Sequence, residues 1–168
     1  KISNSASKSD IAALVKAAID GAATKEDKAE MAEALMAIAG SDAGILSTIA
    51  SAAIAAAGRT GEAAQLVAAA LIKGAGAGAK IKTVTAAIKL SAGPGAAGQA
   101  VVGAAIKAAT TLGEGAAAQA GASNVAGTLG DNLQSTADTS VGSFTDNSGA
   151  LTVTAAVLIT AARPYRNE

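Results

Sequence analysis

SDIAALVKAAIDGAATKEDKAEMAEALMAIAGSDAGILSTIASAAIAAAGRTGEAAQLVAAALIKG, residues 9–74, is the stretch from which the architecture can be read. It divides into four short segments. Each opens on a side chain that can accept hydrogen bonds from free N–H groups and closes on a glycine that can take a left-handed turn. Ser7 or Ser9 opens the first, with Asp10 in its first turn, and Gly21 ends it. Thr24 opens the second, with Glu26 and Asp27 near the positive end of the helix dipole, and Gly40 ends it. Ser41 with Asp42 opens the third, which runs to Gly58, and Thr60 with Glu62 opens the fourth, which runs to Gly74.

Apolar residues recur within these segments at helical spacing. Ile11, Leu14, Val15, Ala18 and Ile19 share one face of the first, and Met31, Leu35 and Ile38 form the stripe of the second. Ile45, Ile49, Ala52 and Ala56 line up on the third, and Leu66, Val67, Ala70 and Leu71 on the fourth. Connections this short make neighbouring helices fold back as antiparallel hairpins, in a bundle or a short solenoid. Ser9, Ser41 and the Gly74–Gly78 linker fall near the spacing of about 34 residues typical of helical-hairpin repeats, although no signature residues recur.

Outward from this stretch the pattern loosens. Gly74–Ala79 alternates glycine and alanine and reads as a joint. Ile81, Val84 and Ile88 predict a fifth helix, although Thr83, Val84 and Thr85 also suit a strand. Pro94 stands at the start of a sixth helix carrying Val101, Val102, Ala105, Ile106 and Ala109 and stopping near Gly113. From Glu114 to Leu133 a helical period persists through Ala118, Ala122, Val125 and Leu129, but interior glycines make that helix dependent on tight packing. Residues 134–149 form a polar arm. Leu151, Val153, Val157, Leu158 and Ile159 then lie in a segment with the period of a strand that can also be drawn as a closing helix. The expected fold is all-α, an array of six to eight short antiparallel helices in one domain over 1–168. Its parts are a four-helix N-terminal part (9–73), a second helical part (80–133), and an arm with an apolar C-terminal segment (134–168).

Composition narrows the function. The chain has no histidine, cysteine or tryptophan, 19 glycines, a formal net charge of zero, and only about a fifth large aliphatics. Without histidine and cysteine the usual general bases and the best nucleophiles are missing, so no catalytic activity is expected. Balanced charge and scarce aromatics count against a nucleic-acid partner, and Lys73, Lys80, Lys82 and Lys89 read as a solvated face. The uncharged runs are too short and too rich in Ala, Gly, Ser and Thr to span a membrane.

Four patterns invite a chemical reading and are better explained without one. Gly93, Gly95 and Gly98 match a dinucleotide-binding glycine pattern but lack the flanking strands. Gly74–Lys80 resembles a phosphate loop, yet Ala79 and Ile81 stand where it needs Gly and Ser or Thr. Ser5 and Lys8 have the spacing of a serine nucleophile and a lysine base, in a terminus with no pocket. Glu26, Asp27, Glu30 and Glu33 cluster on one helix without the histidine of a di-metal bundle site. No cofactor or metal is expected.

A thin alanine and glycine core buries little area per helix, so cohesion has to come from close backbone approach and from neighbours. The expected role is a non-enzymatic structural subunit that assembles with copies of itself into an extracellular filament or surface layer. Leu151, Val153, Val157, Leu158 and Ile159 are its expected interface, and the start at Lys1 instead of methionine is read as a processed N-terminus. One alternative is an amphipathic-helix coat on a lipid or polymer surface. A further alternative is ice binding through Thr83, Thr85, Thr152, Thr154 and Thr160, or binding of a small ligand.

Overall fold

The structure, a computed structural model, describes residues 7–123, and over that span it is all-helical. The helices are α1 (Lys8–Gly21), α2 (Lys25–Ala37), α3 (Ala43–Ala56), α4 (Gly61–Ala75), α5 (Ala79–Ser91), α6 (Gly95–Thr111) and α7, described over 115–123. The first three have their caps. The Ser7 hydroxyl accepts from the Asp10 N–H at 3.1 Å, which chooses Ser7 over Ser9, and the Asp42 carboxylate accepts from the Ile45 N–H at 2.9 Å. At α2 the Thr24 hydroxyl accepts from the Asp27 N–H while the Asp27 carboxylate accepts from the Thr24 N–H, a reciprocal capping box.

The helices form two layers. The odd-numbered α1, α3 and α5 pack in sequence, as do the even-numbered α2, α4 and α6, and contact across the layers is lighter. Within a layer the helices run parallel. Lys25 at the start of α2 pairs with Glu62 at the start of α4 at 2.6 Å, and Gly74 near the end of α4 lies against Glu33–Ala37 near the end of α2. Odd helices begin at Lys8, Ala43, Ala79 and residue 115, a spacing of 35 or 36 residues; even helices begin at Lys25, Gly61 and Gly95, a spacing of 36 and 34. The described chain is thus a short solenoid of three stacked hairpins, with α7 opening a fourth.

One continuous core runs through the stack from Ile11 to Ala122, filled by Ile, Val and Leu and by more than a dozen alanines. Small residues set the spacing of the layers. A Cβ on Gly74 would come within 2.9 Å of the Met36 Cβ and collide with the Glu33 carbonyl, and a Cβ on Gly121 of α7 would collide with the Lys82 carbonyl of α5. At these two crossings backbone meets backbone, which only glycine permits. Gly74, expected as the terminator of α4, therefore lies inside the helix as a packing residue. The chain turns instead at Gly76, whose φ is +86°. The Gly74–Ala79 stretch is the last turn of α4 and the connection into α5, with Ala75 and Ile81 both in the core.

Buried faces differ from the expected stripes where alanine carries the packing. On α2 it is Ala32 and Met36, with Ala39 beyond the helix, that are buried; Leu35 is half-buried, and Met31 and Ile38 are exposed. On α3 Leu46, Ala50, Ala53 and Ile54 join Ile49 in the core, and Ile45 is half-buried. The 83–85 stretch is helical, and Ile81, Val84 and Ile88 are buried as a helical period requires.

Thr85 is the one buried polar side chain among the described residues, and its hydroxyl has no hydrogen-bond partner. A buried hydroxyl without a partner pays a desolvation cost of about 1–3 kcal/mol. Thr85→Val keeps the shape and removes that cost, so it is expected to stabilise the chain by about 1 kcal/mol in a urea titration. A loss of stability would show that the hydroxyl is satisfied.

Candidate functional site

The repeat spacing assigns each side chain a counterpart one hairpin along. Leu14 of α1 corresponds to Ile49 of α3, Thr85 of α5 and Gly121 of α7. On the even layer Met31 corresponds to Val67 and Val101, and Ile38 to Gly74. Gly121 touches α5 and Gly74 touches α2, so these positions look back along the stack toward the preceding hairpin. Ile49, Val67, Thr85 and Val101 are each fully buried.

In the first hairpin the same positions meet no preceding hairpin among the described residues. Leu14 is 68 % exposed, Ile38 52 % and Met31 40 %, three of the five large hydrophobics that stand exposed among the described residues. The other two, Leu90 at the end of α5 and Leu112 in the turn after α6, lie apart. Single exposed hydrophobics are ordinary, but three at equivalent interior positions on one end of a stack form an uncapped surface. Terminal hairpins of solenoids need a polar outer face to stay single in water.

Asp10 and Asp27, one helical turn before Leu14 and Met31, add carboxylates to this end. Charge is graded over the three described hairpins. The first hairpin (7–42) carries seven carboxylates and four lysines, whereas the third (79–114) carries four lysines and Glu114 alone. The neutral total therefore conceals an acidic first hairpin and a basic third one. The Lys25–Glu62 pair links the first two hairpins at an exposed edge, and the hydrogen bond to Glu62 raises the Lys25 pKa above its ordinary value. That contact is intact at neutral pH, and the part of it that Lys25 contributes is lost as pH rises past the usual lysine range.

The other sequence-marked residues take structural places. The Gly93 N–H donates to the Arg59 carbonyl at 2.9 Å, tying the turn of the third hairpin to that of the second, and Gly98 lies directly against the Gly93 carbonyl. The glycine pattern thus closes on itself and leaves no cradle for a phosphate. Of the acidic cluster, Asp27 serves the α2 cap while Glu26, Glu30 and Glu33 are exposed. Among the described residues no three His, Cys, Asp or Glu side chains converge as a metal site.

Lys8 borders an open groove of about 700 Å3 between α1 and α3, walled by Ala43, Gly44, Ser47, Thr48 and Ser51. The Thr48 hydroxyl is used within its own helix, on the Gly44 carbonyl at 2.8 Å. Ser5 lies outside the described residues, as do Leu151, Val153, Val157, Leu158 and Ile159, the interface expected from sequence. The end face was missed because Met31 and Ile38 read as the core stripe of α2; a repeat alignment setting Met31 beside Val67 would have exposed it. No helix among the described residues is long and apolar enough to cross a membrane.

No family model matches the chain, and no curated protein or solved structure is significantly similar to it.

Proposed function

We propose that this chain is a non-enzymatic structural subunit that self-assembles into an extracellular filament or surface layer. One observation carries the reading: Leu14, Met31 and Ile38 stand exposed at the end of the stack, at positions whose counterparts Ile49, Val67 and Gly74 are packed against a neighbouring hairpin. A surface of that kind is half of a repeat–repeat interface. Covering it with another molecule removes apolar area from water at about 25 cal/mol per Å2 and stabilises the fold by mass action.

The thin core supports the same conclusion, since each alanine contributes little area and each added neighbour contributes proportionately more. The lipid-coat alternative needs helices whose apolar stripes turn outward, whereas the apolar positions here face along the stack. Sedimentation velocity of the purified chain across a hundredfold concentration range, with negative-stain images of the concentrated sample, tests the proposal. Mass that rises with concentration and elongated or sheet-like particles are expected. A constant monomer mass with dispersed particles would end it.

A further inference from the structure

We infer that the apolar end of the stack pairs with the same end of a second copy, α1 and α2 meeting their equivalents antiparallel about a two-fold axis. The inference rests on the self-assembly reading above and names one contact of that assembly and its symmetry. The face continues the interface used within the chain, where the same positions meet the preceding hairpin. Leu14 stands for Ile49 and Met31 for Val67, but Ile38 stands where Gly74 makes backbone contact. A Cβ alone at Gly74 runs into the Glu33 carbonyl, so the whole Ile38 side chain keeps a hairpin from seating on this end as hairpins seat within the chain. The partner has to be met at side-chain distance, about 8–10 Å between helix axes.

The order of residues on this face decides which partner fits at that distance. On α1 the outward stripe reads Asp10, Leu14, Ala17, Gly21, and each of these is exposed. On α2 it reads Asp27, Met31, Ala34, Ile38, again exposed throughout. Both stripes have the alternating steps of four and three residues of a coiled-coil seam, and both run acid, large, alanine from the helix start. Laid antiparallel on either stripe of a second copy, Leu14 and Met31 fall beside Ala17 or Ala34, so each large side chain meets a small one. Gly21 has nothing within 4 Å of the place a Cβ would occupy, which leaves room where a carboxylate arrives.

The carboxylates fix the direction. A parallel arrangement would set aspartate on aspartate, whereas an antiparallel one sends each to the far end of the partner's stripe and leaves the middle of the face apolar. The contact is small: a stripe from Asp10 to Gly21, two helices wide, has a footprint of about 17 by 20 Å. That is well short of the ~800 Å2 a standard interface buries per partner, so pairing is expected to be weak and to depend on concentration. The first hairpin has seven carboxylates and four lysines, so two copies repel mildly and salt strengthens their contact. A two-fold pair uses this face on both members and closes, and growth into a filament or layer then proceeds through other surfaces.

The test uses the full chain, with circular dichroism confirming the helical content of each variant. Sedimentation equilibrium is expected to show a monomer–dimer step in the parent that tightens severalfold as salt rises to several tenths molar. Leu14→Glu with Met31→Glu is expected to weaken that step at least tenfold. The chain has no cysteine, so introduced ones report contacts without background. Leu14→Cys is mixed in turn with Ala17→Cys, with Ala34→Cys and with Gly103→Cys of α6, the mixtures are oxidised, and linked peptides are identified by mass spectrometry. Links from position 14 to 17 or 34 are expected at least tenfold above links to 103.

A dominant link from 14 to 103, or a first step that salt weakens, marks pairing of unlike ends and overturns the inference. If the parent assembles and Leu14→Glu with Met31→Glu leaves it unchanged, the contact lies elsewhere, and the inference fails while the self-assembly reading survives. If dimers form through these residues and nothing larger follows at any concentration, the inference holds and the filament or layer reading fails. A parent that remains monomeric throughout, its end covered by its own chain, defeats both.

Discussion

Gly74→Ala is expected to destabilise the chain by about 2–3 kcal/mol, although alanine is the better helix former by up to about 1 kcal/mol. The added methyl would lie 2.9 Å from the Met36 Cβ and run into the Glu33 carbonyl, and backbone cannot step aside as a flexible side chain can. The α2–α4 contact, the most extensive between helices in the stack, would have to open. Gly103→Ala in α6 provides the opposite sign. Its added methyl meets nothing within 4 Å, so only the helix preference remains, with a gain of about 0.5–1 kcal/mol. Urea midpoints of the two variants, measured at dilutions where assembly is negligible, decide the matter. A stabilised Gly74→Ala chain would mean that the even layer is not held at backbone contact.

The second large effect is expected at Ile49. This side chain is fully buried in α3, where the odd layer is covered on both sides, and truncating it removes transfer energy and leaves a cavity between hairpins. Ile49→Ala is expected to cost about 2–5 kcal/mol. Leu14, its counterpart one hairpin earlier, is 68 % exposed, and Leu14→Ala should change the stability of the dilute monomer by less than about 0.5 kcal/mol. Equivalent letters at equivalent positions thus differ several-fold in consequence because one is inside the stack and the other is at its end. Comparable losses in dilute chemical unfolding would show that the end is covered within the single chain.

Much of this architecture is legible in the letters. Thr24 with Asp27, Asp42 and the glycines at 40 and 58 mark helix boundaries by satisfying free backbone groups or by taking left-handed turns, effects local enough to be read from neighbours. Hairpin spacing is visible for the same reason. Which face of each helix is buried is less legible, because alanine satisfies an interior as well as a surface. On α2 the larger Met31 and Ile38 drew the expected stripe to the wrong side, while Ala32 and Met36 form the real one.

The 83–85 stretch was ambiguous on propensity alone. Contacts with α3, α4 and α6 decide it, since a helix there buries Ile81, Val84 and Ile88 together. The role of Gly74 needed the partner helix to be seen; a glycine one residue from a helix end looks like a stop signal until Glu33 is found against it. The graded charge, by contrast, was present in the order of residues all along. It becomes meaningful only when sequence position is known to map onto distance along an axis.

That mapping also bears on how the molecule responds to force. In a globule, residues distant in sequence clasp one another and the whole must rupture together; here each hairpin leans chiefly on the ones before and after it. Pulled by its ends, such a strand gives way one pair of helices at a time, releasing slack in instalments and re-forming when the load is withdrawn, so it behaves as a shock absorber instead of a brittle rod.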